Sequence, residues 1–204
     1  MVAAKGTGTM QVCVAPPLGG PNCGDNPPIY HPSAQSVAST NALSLFLSTY
    51  DSTNPAIEWK SFLRPEALKV FVVVTDDNTS LSAASFDTQL LAKQPAQMFG
   101  DANKRRYVFY GIIGISNNNP AVKCPQAVNI GAVYQQLVAL TGGKMYSECE
   151  SDYSPIFKQI AASVIGALAC EYAMPQSAGD GGAIDPDNVE LKFTDSLNVE
   201  TVYP

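Results

Sequence analysis

Apolar positions are densest in Val70-Phe71-Val72-Val73-Val74, which follows Lys69 without a polar interruption. A β-branched and aromatic run without alternation predicts a strand buried on both faces. In a chain of 204 residues that implies the central strand of a parallel sheet covered by helices. The run breaks into Thr75-Asp76-Asp77-Asn78-Thr79-Ser80. Polar chemistry therefore gathers at the carboxyl end of the strand, where open α/β sheets bind ligands.

Helical spacing surrounds this strand. Val37, Leu43, Phe46, Leu47 and Tyr50 fall on one face of a helix from Ser36, with Ser39 or Thr40 as its cap and Asp51-Ser52-Thr53-Asn54-Pro55 as its stop. Ile57 to Leu63 reads as a short helical piece whose Trp59 covers the sheet. A helix is predicted over about Ala83 to Phe99, with Phe86, Leu90, Leu91 and Met98 inward. A second buried strand spans Tyr107 to Ile113, and the polar Ser116 to Pro120 loop ends it. A helix over Asn129 to Ala139 then stops at Thr141-Gly142-Gly143, glycine being the residue a helix C′ position prefers. Lys144 to Ser147 is a short third strand, and Ser154 to Cys170 a closing helix. The alternation predicts a doubly wound, mostly parallel α/β sheet with helices on both faces.

The flanks differ. Met1 to Lys5 and Met10 to Val14 read as a hairpin around Gly6-Thr7-Gly8, and the proline- and glycine-rich stretch from Pro16 to Pro32 as irregular. An α/β domain is expected over 1–172, followed over 173–204 by a linker and a β tail. In that tail Val189 to Thr194 alternates like a strand whose partners lie beyond Pro204.

Composition narrows the function. A net charge of -6, with no basic cluster beyond Lys104-Arg105-Arg106, argues against nucleic acid as a partner. No apolar run reaches transmembrane length, and the start lacks the charged and apolar regions of a signal peptide. Of the 5 cysteines, Cys13 and Cys23 bracket the proline-rich loop and Cys124 and Cys149 flank a helix, placements typical of disulfides; Cys170 is left over. An oxidising, extracytoplasmic compartment is expected, with buried cytosolic thiols as the alternative.

Catalytic signatures are missing from the sequence. Gly6-x-Gly8 fails as a dinucleotide fingerprint because Gln11 stands where the third glycine belongs. There is no Gly-x-Ser-x-Gly, Walker loop or His-Glu-x-x-His, and the only histidine, His31, reads as an exposed loop residue. Asp180, Asp185 and Asp187 fit no known Ca²⁺ loop and read as a solvated linker, and the Asn78-Thr79-Ser80 sequon reads as chance.

Three features together resemble the von Willebrand factor type A domain, particularly those of exported bacterial proteins of the myxobacterial kind. They are the Leu63-Arg64-Pro65 lead into the apolar strand ending at Thr75-Asp76-Asp77, the Leu137 to Tyr146 junction through Thr141-Gly142-Gly143, and the closing helix from Ser154. The resemblance covers about residues 1 to 172 and implies a divalent cation, Mg²⁺ or else Ca²⁺ or Mn²⁺, at the carboxyl edge of the sheet. Asp76 would hold the ion, Ser39 or Thr40 would be a second ligand, and Asp77 would add charge. The family's Asp-x-Ser-x-Ser motif and the strand before it are missing, which implies a gap beside Val70 to Thr75 and makes Met1 internal to a longer gene product. A hard cation takes about six oxygens, so the visible donors leave most of the shell to water.

The expected function is therefore an extracytoplasmic binding or adhesion module for a protein or surface glycan ligand. The alternatives are a metal-independent structural or interaction domain of a larger envelope or secreted protein, and, more remotely, a metal-assisted hydrolase. The bland reading of Asp76 and Asp77 is that they cap the following helix or turn and bind nothing.

Overall fold

The computed structural model describes residues 1–6, 12–115, 127–167, 191–194 and 200–203. Its strands are β1 (Val2–Ala4), β2 (His31–Ser33), β3 (Lys69–Val74), β4 (Tyr107–Ile113), β5 (Met145–Ser147), β6 (Leu191–Thr194) and β7 (Glu200–Tyr203). The helices are α1 (Ala42–Thr49), α2 (Ala83–Leu91), α3 (Ala132–Thr141) and α4 (Ser154–Ala167). The chain divides into two compact units, Met1–Leu168 and Ala169–Pro204.

The first unit is the expected mixed α/β layer structure. β3, β4 and β5 form a parallel sheet in that order, and α1, α2 and α3 pack their apolar faces on one side of it around Phe71, Val73, Phe109 and Ile113. On the other side Ile156 and Ile160 of α4 cover Val108, Tyr110 and Ile112. Tyr110 adds a hydroxyl hydrogen bond to Ser163 Oγ at 2.9 Å.

The central strand is β4, buried at every position, and not β3. In β3 burial alternates: Phe71 and Val73 face the core, while Val70, Val72 and Val74 are exposed. A continuous apolar run indicates two apolar faces, but burial of both requires a cover on each. Here α4 packs on the Val108, Tyr110 and Ile112 side chains of β4, and β3 stands at the edge with nothing paired to its outer side among the described residues.

Other expectations are also corrected. β1 pairs in parallel with β2, so the proline-rich stretch ends in a strand; the expected hairpin partner 10–14 lies partly outside the described residues, and Val12 N donates to the Lys5 carbonyl at 2.8 Å. Pro32 is tolerated there because β2 is an edge strand and proline needs only a position without a ladder donor. His31 is consequently not an exposed loop residue. It stacks on Phe62 with ring centroids 3.8 Å apart, and its Nδ1 lies 3.4 Å from Asp25 Oδ1.

α1 begins at Ala42, so Val37 is exposed and neither Ser39 nor Thr40 caps it; Asn41 occupies the cap position. The piece around Trp59 is a single 3₁₀ turn, Lys60–Phe62. Trp59 nonetheless covers the sheet as expected, edge-on to Phe71, with Nε1 donating to the Phe46 carbonyl at 3.2 Å. α2 ends at Leu91 and not near Phe99, because Pro95 cannot continue a helix; Met98 and Phe99 remain buried.

α3 ends as expected at Gly142, whose φ of 71° is the left-handed C′ conformation. Cys13 and Cys23 form a disulfide. Cys149 is disulfide-bonded as well, while Cys124, Cys170 and the aspartates at 180, 185 and 187 lie outside the described residues.

In the second unit β6 pairs antiparallel with β7. The strand around 191–194 therefore finds one partner before Pro204. No described helix is long and apolar enough to cross a membrane.

Candidate functional site

The carboxyl edge of the sheet is built by three segments that meet around the loop after β3. The first is the 37–41 turn before α1. The carbonyl of Thr40 accepts from Ser80 N at 3.1 Å, Thr79 Oγ1 at 3.0 Å and Ser80 Oγ at 3.2 Å. The turn is closed locally by Asn41 Oδ1, which accepts from Ala38 N at 2.8 Å.

The second segment is 75–80 itself. Thr75 N continues the ladder to the Ile112 carbonyl, and Thr75 Oγ1 accepts from Asp77 N at 3.2 Å. The Asp77 carboxylate turns inward across the loop: Oδ1 accepts from Asn78 N and from Asn129 Nδ2, both at 2.7 Å.

The third segment is 127–133, which leads into α3. Val128 N and Asn129 N both donate to the Asp76 carbonyl, at 2.9 and 3.0 Å. Asn78 Oδ1 accepts from Val133 N at 3.1 Å, so a side chain from the β3 loop satisfies one of the backbone donors that every helix leaves open at its start. Beneath this Tyr134 is fully buried beside Thr79, and burial pushes its hydroxyl up from the usual tyrosine range.

The four residues expected to hold an ion thus have different fates. Asp77 binds protein donors and closes the loop. Thr40 contributes its carbonyl to the loop tie, with its side chain exposed; Ser39 is exposed. Asp76 is exposed, and its carboxylate makes no hydrogen bond or ion pair among the described residues. Neither aspartate caps α2; Ser82 does, accepting from Ser85 N at 3.2 Å.

The donors assembled here among the described residues do not make up a divalent-cation site. Among the described residues no three His, Cys, Asp or Glu side chains converge. One open carboxylate with neighbouring hydroxyls falls far short of the roughly six oxygens a hard cation takes. The residues that sequence reading missed are Asn78 and Asn129, which bind the segments together. The signal was an Asn shortly before an apolar helical run, a pattern that favours helix-start hydrogen bonding.

A separate polar cluster lies at the amino end of β4. Arg105 Nε and Nη2 hold both Asp87 carboxylate oxygens at 2.8 Å, and the Tyr107 hydroxyl also donates to Asp87. The Arg105 hydrogen bonds hold the Asp87 carboxyl below the usual carboxylate range despite its burial. It ties α2 to the sheet. Lys69 is also buried at that end, donating to the Pro65 carbonyl at 2.6 Å; burial and the nearby Arg106 lower it to about 8.

Comparison with protein-family models, with curated proteins and with solved structures finds no match to the chain.

Proposed function

We propose that this protein is an extracytoplasmic interaction module that recognises a protein or surface ligand through the carboxyl-edge platform of its α/β unit, without a bound metal ion. The observation that carries this reading is the closure of the platform by protein hydrogen bonds. The Thr40 carbonyl, the Asp77 carboxylate and Asn78 Oδ1 join the three segments directly, so no ion is needed to hold them. Asp76 is left facing outward as the charged contact residue, suited to a cationic group on the ligand. The disulfide between Cys13 and Cys23 supports an oxidising compartment.

The test is binding of the purified chain and of Asp76→Lys to a glycan array and to immobilised surface proteins, in chelator and in Mg²⁺. The module reading expects a ligand that wild type binds equally in both buffers and that Asp76→Lys loses while keeping its circular dichroism. A ligand lost in chelator, or one indifferent to the charge reversal, contradicts it.

A further inference from the structure

We draw no further inference here: the strongest candidate, the apolar slot of about 380 Å³ between β1 and the outer edge of β3, carries nothing because nothing among the described residues shows what covers it.

Discussion

Asn129 Nδ2 donates to Asp77 Oδ1 at 2.7 Å, joining the loop after β3 to the lead into α3. The contact is close to solvent, so its worth is that of a partly screened charge-assisted bond. Asp77→Ala should cost about 1 kcal/mol of stability, with a similar coupling energy in a double-mutant cycle with Asn129→Ala. Local opening is the sharper readout: amide exchange at Val128 and Asn129 should rise more than at β4. Equal changes at all amides would contradict a loop tie.

The edge position of β3 separates its side chains by their cover. Phe71 stacks with Phe109 and meets Phe46, Trp59, Phe86 and Tyr107, so Phe71→Ala should cost about 3–5 kcal/mol in chemical denaturation. Val72→Thr, one residue away on the open face, should change stability by no more than about 0.5 kcal/mol. Comparable losses at both would restore a strand buried on two faces.

Acid stability should depend on Asp87. Its carboxyl is held below the unfolded value by Arg105, so the stabilisation is complete above the unfolded carboxylate range and is lost as pH falls through the folded value. Asp87→Asn leaves the Arg105 charge with a weaker acceptor and should cost on the order of 3 kcal/mol at neutral pH. It should also flatten the acid limb of the stability profile.

Lys69 gives the opposite limb. Burial lowers it from 10.5 to about 8 in the fold, so above that pH the unfolded chain binds the extra proton and stability rises as pH increases. Tyr50 and Tyr107, both raised by burial, reverse the trend only beyond the usual tyrosine range. Thermal unfolding should therefore show a rise between about pH 8 and 10 that Lys69→Met removes.

The helix-to-strand junction after α3 contains two adjacent glycines with different reasons. Gly142 has a φ of 71° and open space around an added Cβ, so Gly142→Ala should cost only about 1 kcal/mol. At Gly143 a Cβ would lie 1.9 Å from the Phe109 carbonyl oxygen, so Gly143→Ala should shift β4 and cost several times more, about 3 kcal/mol or above. Denaturant midpoints of the two variants measure the contrast.

The elements and their alternation were legible because Tyr107 to Ile113, the Gly142 stop and the helical spacing of Ile156 and Ile160 are local signals. Which strand is central was not legible. Val70 to Val74 and Tyr107 to Ile113 are both apolar throughout, and only the position of α4 and the open outer edge distinguish them. The pairing of β1 with His31–Ser33 was hidden because a proline-rich segment argues against a strand until one sees that its proline sits on an edge. At the carboxyl edge the sequence marked the right loop through Asp76 and Asp77. Whether a carboxylate faces a ligand or a neighbouring amide depends on Asn129, far away in the chain, and no local pattern carries that.

The most direct measurement is isothermal titration of the chelator-stripped chain with Mg²⁺, Mn²⁺ and Ca²⁺, beside Asp76→Ala, with near-ultraviolet circular dichroism to establish that both are folded. A platform closed by its own hydrogen bonds gives no saturable isotherm with any ion, and the variant behaves as the wild type. A saturable isotherm that Asp76→Ala abolishes would contradict the metal-free platform and place a cation at the end of β3.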